Sequence, residues 1–396
     1  MDDHFDRQFG GRPTVAARAP GRVELLGNHT DYHGGLVLAA AVDRFTTVVG
    51  RPVPGRRARL ISAAFSGEES FDLDAIDADR GAPGSWGRYA RGVCWALGSA
   101  YGGLKCGFEA AIAGDVPLGA GLSSSASLQA ALGMFLLAAR GVGGGPPAEG
   151  DDARRMALAQ TLRRSENEYV GVGSGLLDQF SVLFGREGHA LVLDCRTLEF
   201  DRLPLGDPAP AIVVCDSKTS RRLADGMYDR RRAEGEDVVN HFRDVLGRAD
   251  VTQLRDLTAD DLADAWDELD PDGRRRARHV VGENDRVRQG AEALRRGELA
   301  GFGRLMDESH RSSRDDFENS SPALDALIEA AAGASGHLGG KLSGAGWAGC
   351  TVHLVELGAA SEFAEVVADG FERRIGHRPA VHVCRAADGA AVVVPG

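Results

Sequence analysis

The chain has 396 residues, 43% of them hydrophobic and 26% charged, and a formal net charge of −12. That length allows two or three compact domains, each with its own core. The mixed charges lack the basic stripe a nucleic-acid partner requires, and no apolar run nears the roughly 18 residues of a membrane span. Three lysines (Lys105, Lys218, Lys341) stand against 43 arginines, which reads as a genomic composition bias.

In chain order, the start MDDHFDRQFGGRP lacks the basic end and apolar run of a signal peptide. Six cysteines are scattered without a CxxC pair, so buried free thiols and a cytoplasmic setting are expected. Residues 22–35, RVELLGNHTDYHGG, crowd Arg22, Asn28, His29, Asp31 and Tyr32 between apolar residues and glycines. LVLAAAVDRFTTVVGRP (36–52) and FEAAIAGDVP (108–117) carry β-type runs closed by turn residues. SLQAALGMFLLAAR (127–140) places Leu128, Leu132, Phe135, Leu136 and Ala139 on one helical face. GVGGGPPAEGDD (141–152) predicts a surface loop between two helices. ALVLDCRTLEF (190–200) and AIVVCDSK (211–218) predict strands. From about 222 to 335 the pattern is helical, with Val287, Ala291, Leu294 and Leu299 in helical spacing, and the end reads β-α-β. This irregular interleaving favours an α+β fold.

The strongest local signal is GDVPLGAGLSSSASLQAALGMFL (114–136), a glycine- and hydroxyl-rich turn running into a helix. Backbone N–H groups in such a turn converge on an anion, and the helix N-terminus adds a favourable dipole. Gly119 and Gly121 permit close approach. One serine would suffice to cap the helix, so Ser123, Ser124 and Ser125 in a row point to phosphate. No GxxxxGK[ST], HRD or DFG set is present. A second turn, KLSGAGWAGC (341–350), is expected to join a helix to the strand TVHLVEL; by itself it reads equally as a structural tight turn, and paired with the first loop it reads, with Gly344 and Gly346, as a cradle for phosphate from another side. RRSENEYVGVGSGLLDQFSVLFG (163–185) supplies Glu166 and Asp178. Asp178 reads either as an acid where a helix meets a crowded pocket or as a helix cap.

These stretches together resemble the GHMP small-molecule kinases, and among them the galactokinase family most closely. APGRVELLGNHTDYHGG (19–35) is similar to the galactokinase signature, PLGAGLSSSAS (117–127) to the ATP loop, and LSGAGWAGCTVHL (342–354) to the third motif. SWGRYARGV (85–93), GLLDQFSVLFGREGHALVLDCRTLE (175–199), MYDRRRAEGE (227–236) and ESHRSSRDDFENSSPALD (308–325) extend the likeness nearly end to end. The resemblance implies a two-domain GHMP kinase fold with the active site in the inter-domain cleft. The domains are expected at 1–200 (sugar motif, ATP loop, catalytic acid) and 201–396 (third motif).

It further implies ATP-dependent phosphorylation of D-galactose at O1. Arg22 and Asp178 match the catalytic pair; Asn28, His29, Asp31, Gly175 and Tyr228 match sugar-binding positions. Ser125 and Glu166 match magnesium ligands, and Trp86 and Tyr89 line the adenine pocket. Gly119, Gly121, Ser123, Ser124, Ser125, Gly344 and Gly346 fall in the phosphate-binding turns. The residue types suit the chemistry, since phosphoryl transfer needs alignment and charge stabilisation and Mg²⁺ prefers hard oxygen ligands. Asp178 can accept the sugar hydroxyl's proton while Arg22 stabilises charge on the transferring group. The expected partners are a small sugar and ATP, with neither nucleic acid nor membrane, in a monomer or weak homodimer. A related kinase acting on galacturonate, N-acetylgalactosamine or arabinose, or a non-catalytic sugar sensor, are the alternatives.

Four positions depart from the family pattern. Galactokinases usually carry asparagine where this chain has Glu24 and glutamate where it has Asn28. Glu24 is expected to belong to the scaffold, and Asn28 to bond the sugar's primary hydroxyl without charge. Gly173 and Ser174 suggest a slightly altered pocket floor.

Overall fold

The computed structural model describes residues 1–140, 142–219 and 226–395. Gly141 of the expected loop at 141–152, and residues 220–225 at the start of the expected helical region, lie outside the described residues. Helix α1 (Asp2–Phe9) precedes β1 (Val15–Leu26) and the long β2 (Leu36–Val53), followed by β3 (Arg57–Ser62) and β4 (Glu68–Asp72). Then come α2 (Trp86–Tyr101), β5 (Gly107–Gly114), α3 (Ser124–Arg140), α4 (Asp152–Arg164), α5 (Leu177–Phe184), β6 (His189–Asp194), β7 (Phe200–Pro204) and β8 (Ala211–Asp216). Helices α6 (Met227–Asn240), α7 (Ala259–Asp264), α8 (Pro271–Arg295), α9 (Leu299–Ser312) and α10 (Pro322–Ala331) follow. The chain ends with β9 (His337–Ser343), β10 (Cys350–Val355), α11 (Ala360–Ile375), β11 (Ala380–Cys384) and β12 (Ala391–Val393). The class is α+β, as expected.

The first sheet runs β12-β1-β2-β5-β3-β4, with β6 on β2 and β7 on β6. β2 is long enough to pair β5 along Thr46–Val53 and β6 along Leu36–Ala39 on its other half. The expected boundary at 200 falls at the start of β7, and both β7 and β12 join this first sheet. The second sheet, β11-β8-β10-β9, is antiparallel. Its inward residues Val213 and Cys215 pack with Leu327 of α10 and Phe363, Val367 and Phe371 of α11.

One irregularity in β1 positions the site. Its pairing with β2 shifts register between Pro20 and Gly21. Pro20 pairs with Phe45 but Gly21 with Val42, so Asp43 and Arg44 of β2 are left over as a two-residue bulge, and the strand pair bends there. Before the bend, Ala17 and Ala19 sit in the core shared with Phe135 of α3, Leu162 of α4 and Phe180 of α5. After it, Val23 and Leu25 join a second core with Val287 of α8, Phe302 and Met306 of α9, and Val352 of β10. The alternate residues Arg22 and Glu24 line a cavity.

The turn at 344–349 differs from the expectation. It links β9 to β10 in a hairpin, so that the strand His337–Ser343 leads into the turn where a helix was expected to do so. Gly303 and Gly339 explain the missed signal: a Cβ on either would overlap the backbone of the other segment. Helix α9 therefore lies directly on β9, which needs glycine where a strand normally shows apolar side chains. Among the described residues no helix is long and apolar enough to cross a membrane.

Candidate active site

A cavity of about 450 Å³ opens where the two sheets meet, within the range of small-molecule sites. Its sugar-signature wall is the loop between β1 and β2. Gly27 takes φ +92° because a Cβ there would strike the backbone at Leu36 and Val37. The N–H groups of Gly27 and Asn28 both donate to Glu283 Oε2 at 2.9 Å, and Leu36 N–H donates to Asn284 Oδ1 at 2.8 Å. His279 Nε2–H donates to the Asn28 carbonyl at 3.0 Å. Glu283 is fully buried. Burial pushes its carboxyl up, but Arg286, His279 and Lys341 outweigh this and bring it to about 2. Helix α8 thus clamps the loop through buried polar groups, each of which is partnered.

The side chains of this loop divide by whether protein already satisfies them. Asn28 Nδ2 donates to Glu24 Oε1 (3.0 Å) and to the Gly344 carbonyl (2.9 Å), and its Oδ1 accepts from Asn319 Nδ2 (2.9 Å). His29 adopts φ +61° and stacks on Phe317. Burial lowers its pKa to about 3, so the ring is neutral. Its Nε2–H donates to the Ala345 carbonyl (3.0 Å), leaving Nδ1 to accept from the Tyr32 hydroxyl (2.7 Å). Asp31 is different. Its Oδ1 accepts from Tyr32 N–H (3.0 Å), and Oδ2 faces Gly175, where any Cβ would overlap the carboxylate. Burial, then Asp178 and Glu24, push Asp31 up to about 7.

The opposite wall is the turn from β5 into α3. Gly119 (φ +75°), Gly121 (φ +73°) and Ser123 (φ +52°) are all left-handed. The Ser123 carbonyl accepts the first intrahelical bond, from Ser127 N–H. Its hydroxyl donates instead to Asp178 Oδ2 at 2.5 Å. Ser124 and Ser125, in the first turn of α3 where backbone N–H groups have no partner within their own helix, line the cavity.

Asp178, in the first turn of α5, is met by Arg22 of β1. Arg22 Nε donates to Oδ1 at 2.7 Å and Nη2 lies 2.5 Å from the same oxygen, while Nη1 donates to the Gly121 carbonyl at 2.7 Å. Burial alone would lower the Arg22 guanidinium; Asp178 and Glu24 outweigh it and raise it. One arginine thereby links the carboxylate to the glycine turn.

Glu166 lies in a π-helical turn after α4 and is buried. Burial and then Asp178 push its carboxyl up, against bonds accepted at Oε2 from Gln179 (2.5 Å) and Ser174 (3.1 Å). A cation near Ser125 and Glu166 would relieve that opposed charge, and both are hard oxygen donors.

The structure brings Arg22, Asn28, His29, Asp31, Tyr89, Gly119, Gly121, Ser123, Ser124, Ser125, Glu166, Gly175, Asp178, Tyr228, Gly344 and Gly346 to this one cavity. Trp86 is not among the lining residues; it stacks on Phe65 with ring centroids 6.2 Å apart. Sequence reading missed Trp347, a lining residue held at φ +58°. It also assigned Glu24 to the scaffold, whereas the structure places Glu24 on the cavity wall. The clamp residues of α8 had a readable signal: His279 and Glu283 stand four apart on the same buried stripe as Val280 and Val287.

Comparison with known proteins gives a consistent outcome. The galactokinase galactose-binding signature matches residues 3–52, the GHMP kinase N-terminal domain 88–186 and the GHMP kinase C-terminal domain 291–373. The chain is 41% identical to the galactokinase of Roseiflexus sp. (strain RS-1) over 389 residues, covering 98% of this chain and 95% of that one. It is 40% identical to human galactokinase over 395 residues, with the same coverage. Lactococcus lactis galactokinase, solved in complex with galactose, superposes with a TM-score of 0.90 at 32% identity over 98% of each chain. A mevalonate kinase at 16% identity and TM-score 0.65 shares the fold.

Proposed function

The chain belongs to the galactokinase family of GHMP kinases, and from that premise we propose that it transfers the γ-phosphoryl group of ATP to the anomeric O1 of D-galactose, giving galactose 1-phosphate and ADP. It is an ATP-dependent galactose kinase, and the related sugar-kinase and silent-sensor readings are not favoured. The observation that carries the O1 assignment is the convergence of Arg22 and Ser123 on one carboxylate, Asp178, at the meeting point of the sugar loop and the glycine turn.

In this reading the sugar lies against the 27–36 loop with O1 beside Asp178. The carboxylate orients the hydroxyl and accepts its proton as the oxygen attacks, since Oδ2, bonded by Ser123 alone, retains a lone pair. Arg22 and the N-terminus of α3 stabilise charge on the transferring group, and the glycine turns align the phosphates. Asp31 accepts from ring hydroxyls; His29, Tyr228 and Gly175 shape the pocket around it. Trp347 and the turn at Gly344 and Gly346 close the far wall. Ser125 and Glu166 would hold Mg²⁺, which would supply positive charge to offset that of the nucleotide phosphates. A kinase consuming ATP, with free thiols at Cys106, Cys195, Cys215 and Cys384, suits the cytoplasm.

ADP release measured over a panel of galactose, N-acetylgalactosamine, arabinose and galacturonate tests the reading, with phosphorus NMR of the product. Galactose should be turned over best, and the phosphorus should couple to the anomeric proton. Best turnover on the uronic acid, or phosphate on another oxygen, would overturn it.

A further inference from the structure

Glu24 was expected in the scaffold, yet it is 4% exposed and lines the cavity. Its Oε1 accepts from Asn28 Nδ2 at 3.0 Å and from Lys341 Nζ at 2.7 Å. Its Oε2 accepts no bond from the described residues, and it is not one of the buried polar atoms sealed without a partner. The open side of that oxygen is therefore the cavity. Lys341 is fully buried and held by Glu24 and the Leu342 carbonyl (2.8 Å). In a chain with only three lysines, the compact ammonium of one lies directly against this carboxylate. Asn28 has both amide hydrogens engaged, by Glu24 and Gly344, and its oxygen engaged by Asn319. It positions Glu24 and has no donor left for a ligand.

We propose that Glu24 Oε2, rather than Asn28, is the acceptor that selects for the primary hydroxyl of the sugar; this assignment rests on reading the cavity as a galactose 1-kinase site. Arg22 and Glu24 are two residues apart on one face of β1, a separation of about 6.6 Å along a strand. That is the scale of a hexose ring, so a sugar with O1 at Arg22 and Asp178 presents its opposite end to Glu24. The carboxylate is recessed. The CH₂OH group is the one hydroxyl carried on a rotatable arm, and it can turn an O–H into that recess where ring hydroxyls are fixed. The same carboxylate disfavours a uronic acid, because two negative groups would face each other with Lys341 already paired. The charge that the family pattern places at position 28 is thus supplied here from position 24.

The test compares kcat/KM for galactose and 6-deoxygalactose in the full-length enzyme, wild type against Glu24→Gln and Glu24→Asp. A lost bond to a charged acceptor corresponds to roughly 10- to 100-fold. Wild type should favour galactose by that factor, and both variants should collapse the preference, mainly by raising KM for galactose. The aspartate variant keeps a negative partner for Lys341, so it separates recognition from support of the core. Equal use of both sugars by wild type would overturn the proposal, as would variants that lose activity on both sugars in the same ratio. Failure of wild type to phosphorylate galactose at all would instead overturn the function on which the proposal rests.

Discussion

The loops at 27–36 and 119–125 face one cavity and are held in opposite ways. The first is clamped from behind by Glu283, Asn284 and His279, buried polar groups of a single helix. The second is shaped by its own backbone, with three left-handed residues in five, and is tied down mainly through Arg22 and Asp178. The difference follows from what each must recognise. Telling epimers apart requires acceptors fixed in place, since selectivity comes from leaving them unpaired with the wrong sugar. A phosphate needs several exposed N–H groups at close range, and side chains would obstruct them. Arg22 is the link between the two, so chemistry is confined to the point where both are satisfied.

The largest effect should come from the link. Asp178→Asn is expected to lower kcat by about 10²- to 10⁴-fold, while calorimetry finds ATP binding close to wild type; retained turnover would remove the link from the mechanism. Next is the clamp. Glu283→Ala leaves Arg286 and two loop N–H groups without their buried acceptor, and urea unfolding should show a loss of about 3–5 kcal/mol. Galactose affinity should fall more than nucleotide affinity; equal losses would mean the clamp serves the whole fold and not the sugar loop.

Gly175→Ala forces a Cβ against Asp31 and should raise KM for galactose on the order of tenfold, the equivalent of about 1.4 kcal/mol, with KM for ATP unchanged. The mildest test is pH. Asp31 sits near 7 in the free protein, and its ionised form is the stronger acceptor for sugar hydroxyls. KM for galactose should therefore fall about tenfold between pH 6 and 8 and level off above, with proton release on binding near pH 7. Because the folded pKa lies above the ordinary 3.8, ionising Asp31 opposes folding. Its contribution to stability is present below 3.8 and lost as pH rises through 7. Asp31→Asn should flatten both dependences.

Much of this was legible in the sequence because turn chemistry is local. Glycines and serines at 119–125 announce a phosphate turn whatever surrounds them, and the β-type runs within 36–52 are closed by turn residues. Glu24 was not legible, because its place depends on long-range partners, Lys341 and the cavity wall, that the local sequence does not contain. The strand at 337–343 was hidden by Gly339, which is there for α9 to approach. Trp86 was placed by likeness alone, and its ring turns to Phe65 instead of the cavity.

The central claim is that one carboxylate, held by Arg22 and Ser123, addresses a single oxygen of the sugar. A crystal structure of the galactose complex tests it most directly. The anomeric O1 should lie within about 2.6–3.2 Å of a carboxylate oxygen of Asp178 with Arg22 still in contact. A galactose that presents a different hydroxyl to Asp178, with O1 turned away from the glycine turn, would contradict it.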